Sequence, residues 1–270
     1  MANKRGKRTG EKKESTSFLA YIPFIVLVAV IIAFVTLPYI SSKPSLPVVE
    51  MNQFEKISNH GFTNNVQIYF ITWYKSPDGA TDSWVIYTAL HHYGVFNVTP
   101  TYSIYDQFVG NATPGLILNS FTPNTSSIYF KAIYVYGDNY NETINGTVIP
   151  QGEYLNYALA VIKAQAPSWV YNMILKYIVN GVVAYGKEAV EGISPANYTG
   201  VTRMPTVLII SGPKGVWLLL GYPEQFTPTY LTLAVKETPT QLLENIDEGK
   251  IPEPLNATAS TLLQIINMVS

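Results

Sequence analysis

The 270-residue chain is 47% apolar and 13% charged, with a formal net charge of −1, a size and balance that suit an anchoring segment plus one aqueous domain of roughly 200 residues. The small net charge hides an asymmetry. Lys4, Arg5, Lys7, Arg8, Lys12 and Lys13 outnumber Glu11 and Glu14 in the opening tail, whereas from Lys43 onward 11 Lys and Arg face 16 Asp and Glu. That mildly acidic body argues against a nucleic-acid partner, and the absence of cysteine rules out both disulfide bracing and thiol chemistry.

Residues 1–17 read as a basic cytoplasmic tail. The run Phe18–Ile40 is apolar apart from Thr36 and predicts one transmembrane signal-anchor helix, since about 20 residues at 1.5 Å each cross a hydrocarbon core. Tyr21 and Tyr39 fall at interfacial depth, and the basic flank keeps the N-terminus cytoplasmic and the C-terminal part outside. A cleaved signal peptide is disfavoured because the apolar run is too long and no small-x-small site precedes Pro44.

Residues 41–65 predict a linker, Ser41-Ser42-Lys43-Pro44-Ser45-Leu46-Pro47, then a short helix over Val48–Ser58. The extracytoplasmic domain is assigned to 66–270. It opens with Val66–Tyr74, a β-branched and aromatic run expected of a strand buried on both faces. The turn Ser76-Pro77-Asp78-Gly79 follows, then a helix over Ala80–Tyr93 with Asp78 as its expected N-cap and Gly94 closing it. Thr101–Tyr105 and Ser127–Tyr136 predict strands separated by a polar loop carrying Asn111 and Asn124. From Gly152 to about Val183 the periodicity is helical, with a break expected at Pro167. Thr206–Ile210 and Val216–Gly221 predict a hairpin. Helices are expected over Pro228–Ile246, interrupted at Pro239, and over Ala257–Met268.

Acceptor triplets for N-glycosylation stand at Asn97, Asn111, Asn124, Asn141, Asn145, Asn197 and Asn256, all after the apolar run, as an external location requires. A surface made polar mainly by Asn, Thr, Ser and 20 Tyr changes little when carboxylates protonate, which fits an acidic exterior and predicts stability nearly flat down to about pH 3.

The order of buried strand, four-residue turn and helix, followed much later by Met204-Pro205-Thr206 entering a hairpin and a closing helix, resembles the thioredoxin family. Trp73-Tyr74-Lys75-Ser76-Pro77-Asp78-Gly79 is similar to that family's Trp-x-x-Cys-Pro-x-Cys loop, with Ser76 at the attacking cysteine and Gly79 at the resolving one. The resemblance implies an α/β thioredoxin-like sandwich with a helical insertion at about 152–183, preceded by one N-terminal transmembrane helix. It also implies a cis Met204–Pro205 bond facing a groove bounded by Trp73, Ser76, Pro77, Asp78, Gly79, Met204 and Pro205. The anchor, the degenerate loop and the Asn-rich body are similar, too, to membrane-anchored thioredoxin-like proteins of thermoacidophilic archaea. Serine attacks sulfur poorly and glycine has no side chain, so the redox chemistry of that family is not expected here. The plain structural alternative for Ser76–Gly79 is a type I turn.

Other chemistries have weaker support. His91 and His92 point about 100° apart on a helix, His60 is the remaining histidine, and neither a metal site nor a cofactor is expected. A hydrolase would draw on Ser76 or Ser83, His91 or His92, and Asp78 or Asp82, without a Gly-x-Ser-x-Gly elbow. The expectation is a membrane-anchored, non-redox, protein-binding or scaffolding module at the outer membrane surface. The hydrolase-like reading around Ser76 is the alternative.

Overall fold

The computed structural model describes residues 22–41, 46–186, 188–189 and 192–270, in two units, Met1–Ser45 and Leu46–Ser270. In the first, helix α1 covers Ile22–Ser41. Its side chains are described from Ile22 to Ile32 and all of these are exposed. Among the described residues no helix is long and apolar enough to cross a membrane; the tail, residues 18–21 and most of the linker lie outside them.

The second unit begins with two strands, β1 (Val48–Glu50) and β2 (Phe54–Ser58), where a short helix was expected. The turn between them uses Asn52 at φ 62°, a conformation that Asn tolerates better than most residues. The Asn52 side-chain oxygen accepts the Tyr222 backbone N–H at 3.3 Å. Alternation of Phe54, Lys56 and Ser58 with Glu55 and Ile57 suits a pleated edge better than a helical stripe.

Strand β3 (Val66–Thr72) leads into helix α2 (Pro77–Leu90). A long hairpin follows, β4 (Gly94–Asp106) and β5 (Asn111–Pro123), replacing the expected short strand and polar loop. Next come β6 (Ile128–Tyr134), α3 (Tyr154–Gln165) and α4 (Ser168–Met173), the last continuing as a π-helical turn, Ile174–Val179. Pro167 caps α4 and separates the two helices, as expected from its missing N–H. The helical stretch ends before Val183, because β7 (Val182–Tyr185) pairs with β1 and with β8 (Glu188–Ala189). The hairpin β9 (Val207–Gly212) and β10 (Gly215–Leu220) forms where expected. The chain closes with α5 (Pro228–Tyr230), the π-helical turn Leu231–Val235, α6 (Pro239–Asp247) and α7 (Glu253–Val269).

The main sheet has the order β2-β10-β9-β3-β6, with β3 parallel to β6 and antiparallel to β9. Side chains alternate across β3. Val66, Ile68 and Phe70 enter one core with α2, α6 and α7, while Tyr69 and Ile71 enter the other with α3 and α4. Burial on both faces is why the strand is continuously apolar. The β4–β5 hairpin lies against α2. Trp84 Nε1 donates to the Pro114 carbonyl at 2.9 Å, and Ser83 Oγ accepts the Leu116 N–H at 2.9 Å. A Cβ on Gly115 would stand 2.5 Å from the Ala80 Cβ, so glycine permits this approach.

Candidate functional site

The N-terminal end of α2 is built on a chain of buried hydroxyls. Ser76, not Asp78, is the N-cap: its backbone is extended (φ −64°, ψ 128°) and its Oγ accepts the Gly79 N–H at 3.0 Å. A cap oxygen must stand one residue before the first helical position, and Pro77 occupies that position with φ already suitable. Asp78 lies in the first turn instead. The Ser76 and Thr206 hydroxyls share a hydrogen bond of 3.0 Å, and Thr206 shares another of 2.8 Å with Thr72. Gly79 is needed here, because a Cβ would stand 2.3 Å from Thr72 Oγ1.

The Met204–Pro205 bond was expected to be cis. No cis peptide bond occurs among the described residues, so the bond is trans. The segment is instead held from behind. Tyr136 Oη accepts the Met204 N–H at 3.1 Å and donates to the Tyr154 carbonyl at 2.8 Å, while burial pushes this phenol up to about 12.

Above these residues opens a cavity of about 630 Å³ lined by Trp73, Ser76, Pro77, Asp78 and Pro205 from the expected groove, and by Thr206 beside them. Gly79 and Met204 are buried beneath it. Its other walls were not foreseen. The β4–β5 tip contributes Ile104 to Phe108, the later loops Tyr140, Tyr198, Thr199 and Arg203. The tip is brought over by the Ile104 N–H, which donates to the Lys75 carbonyl at 3.0 Å. The guanidinium of Arg203 lies 4.6 Å from the centre of the Tyr140 ring and 5.8 Å from that of Trp73.

Two carboxyls sit one helical turn apart at this end. Burial pushes Asp78 up to about 6, opposed by the Arg203 charge and reinforced by Asp106. Asp82 is 1% exposed, neither of its carboxyl oxygens has a hydrogen-bond partner among the described residues, and burial followed by the Asp78 charge raises it well above the ordinary carboxylate range. Ser83 is committed to backbone bonds with Ala80 and Leu116. His91 and His92 stand beyond the opposite end of α2, with His91 Nδ1 2.8 Å from the Thr88 carbonyl. No histidine lines the cavity, so the residues of the hydrolase-like arrangement are not brought together. Among the described residues no cluster of three or more metal-ligating His, Asp or Glu occurs. All seven acceptor asparagines are exposed.

The sequence does carry one overlooked signal for the cavity. Arg203 is the sole arginine after the basic tail and stands directly before Met204-Pro205.

Residues 53–268 match the family described as a domain of unknown function (DUF929). That span is most of the chain, and the protein belongs to this family. No curated protein and no solved structure matches the chain.

Proposed function

We propose that this DUF929 protein is a membrane-anchored, extracytoplasmic, thioredoxin-like domain without redox activity, a module that holds a protein partner in the groove between Ser76 and Pro205. The observation that carries the reading is the cavity above those residues, with its aromatic walls and its floor of linked hydroxyls. A concave, mostly apolar pocket with a few placed polar groups suits a small inserted group, such as one side chain or terminus of a protein partner.

The thioredoxin-like reading draws support from strand order. A buried strand, turn and helix, then the antiparallel pair β9 and β10 and a closing helix α7, follow one another as the resemblance implies, and β6 pairs with β3 in parallel. The trans bond before Pro205 is a departure from it. Redox activity would need a thiol, and the chain has none. Ser76 serves as a helix cap, its Oγ bonded to the Gly79 N–H and the Thr206 hydroxyl, and no histidine lines the cavity, which favours binding over hydrolysis. Anchoring is supported by the apolar run Phe18–Ile40 and the basic residues before it, and an external location by the seven exposed acceptor asparagines.

The test is chemical cross-linking of intact cells, then purification in mild detergent of the wild type and of Thr199→Trp, a change at an exposed rim residue of the cavity. A partner recovered with the wild type and lost with Thr199→Trp is the expected result. Equal recovery with both chains overturns the groove as the binding site. Protease added to the same cells should spare a fragment of roughly 40 residues.

A further inference from the structure

Of the 11 cationic residues after the tail, ten are lysines and one is Arg203. Its position uses what distinguishes arginine from lysine: a planar fork of five donors that stacks on aromatic faces. Tyr140 and Trp73 flank the guanidinium, and the Arg203 backbone N–H is tied to the Ala196 carbonyl at 2.9 Å. Among the described residues no ion pair or hydrogen bond engages the guanidinium itself, although it lines the cavity and is half-buried. Two rings and the nearby Asp78 charge stabilise the guanidinium, but its five N–H donors are left for something else to complete.

We propose that Arg203 anchors the carboxylate of a bound ligand, whose apolar body lies against Trp73, Tyr105, Phe108 and Tyr198. This deepens the groove reading above and rests on it. A planar carboxylate matches one guanidinium through two parallel N–H···O bonds. A phosphate dianion would meet a single cation and two acidic side chains, Asp78 and Asp106, in the same cavity, and is repelled more strongly than a monoanion, which Arg203 can hold once Asp78 has taken up its proton.

The site also has a pH sense. The charged and titratable groups acting on Asp78 are Arg203, Asp106, Asp82 one turn behind it, and the phenols Tyr185, Tyr198 and Tyr222. With Asp78 ionised, its charge repels an incoming carboxylate. Once it takes up its proton, which burial places at about 6, the repulsion vanishes and its O–H can donate to the ligand. Affinity should therefore fall as pH rises through that value.

The probe is phenylacetate, titrated calorimetrically into the full chain in detergent at about pH 5 and about pH 7.5, with phenylacetamide as its uncharged counterpart. At the lower pH phenylacetate should bind about tenfold tighter than the amide, in line with the usual strength of bonds to a charged group. Arg203→Gln should lose that margin while still binding phenylacetamide, and Arg203→Lys should keep only part of it. Asp78→Asn should bind phenylacetate equally at both pH values. Equal binding of acid and amide, an unchanged margin in Arg203→Gln, or no phenylacetate binding to the folded wild type would each overturn the proposal. Short aromatic peptides with a free or an amidated C-terminus separate a peptide carboxylate from a free acid as the source. If Thr199→Trp loses the partner but phenylacetate does not bind, the groove reading stands and the Arg203 anchor falls. If phenylacetate binds through Arg203 while Thr199→Trp keeps the partner, the anchor stands and the groove reading falls.

Discussion

The two ends of α2 treat their polar groups differently. At the C-terminal end Tyr87 Oη donates to Asp247 Oδ1 at 2.6 Å, and His91 Nδ1 meets the Thr88 carbonyl. At the N-terminal end Asp82 is buried without a partner, Asp78 holds its proton to about 6, and the Arg203 guanidinium beside it lacks an ion pair among the described residues. Among the described residues Thr88 Oγ1 near the C-terminal end is buried without a partner as well, so the ends differ in kind: the N-terminal one holds the two buried carboxyls, of which Asp78 lines the cavity. A buried carboxyl left unpartnered costs more than a buried hydroxyl, so the pair of carboxyls at the N-terminal end marks the end that serves something other than stability.

The largest effect should come from cutting the contact that holds the hairpin on α2 and so shapes the open end. Trp84 is fully buried, and its indole N–H satisfies the Pro114 carbonyl. Trp84→Ala should destabilise the domain by about 4 kcal/mol in denaturant titrations, from the lost side chain and the orphaned carbonyl. A loss well under about 1 kcal/mol would mean that the hairpin contributes little to the helix it covers.

A second change sharpens the contrast through pH. Because Asp78 and Asp82 have raised folded-state values, the native state holds protons that the unfolded chain releases above about pH 4. Their contribution is fully present below that point and is lost as pH rises through the folded values. The domain should then melt higher at about pH 4 than at pH 7, instead of the flat profile that low charge content alone suggests. Asp82→Leu should add about 2 kcal/mol at pH 7 and much less at pH 4. A wild type that loses stability steadily on acidification would contradict this picture.

The smallest effect belongs to the C-terminal end. Tyr87→Phe removes one bond to Asp247, which is exposed, and should cost about 1 kcal/mol. It should leave the pH profile of the melting temperature unchanged, whereas Asp82→Leu should flatten it. If Tyr87→Phe altered the profile instead, the two ends would not be separable.

Much of the fold was legible because its elements obey simple periodicities. Val66–Thr72 is apolar at every position except Gln67 and Thr72, as a strand covered on both faces requires, and the two runs joined by Pro213 and Lys214 make the expected hairpin. Pro167 and Pro239 mark helix starts through a missing donor. The long β4–β5 hairpin was not legible. One face of it packs on α2 while Val95, Tyr102, Tyr105 and Phe108 stay exposed, and two register shifts interrupt its alternation, so no period-2 signal survives. Short strands such as β1 are equally silent, since three residues carry no period and form only because β7 lies alongside.

Taken alone, the sequence determined the basic tail, the apolar run Phe18–Ile40, the absence of thiol chemistry and the residues flanking Ser76 and Pro205, because each of these is local in the chain. Only the tertiary structure decided that Arg203 stands over Tyr140 and Trp73, that the tip at Ile104–Phe108 walls the cavity, and that burial raises Asp78 and Asp82 above the ordinary carboxylate range. Those facts depend on burial and on contacts between residues tens to over a hundred positions apart. Solvent exclusion of that kind is a property of the packed chain, and no local pattern of residue types encodes it.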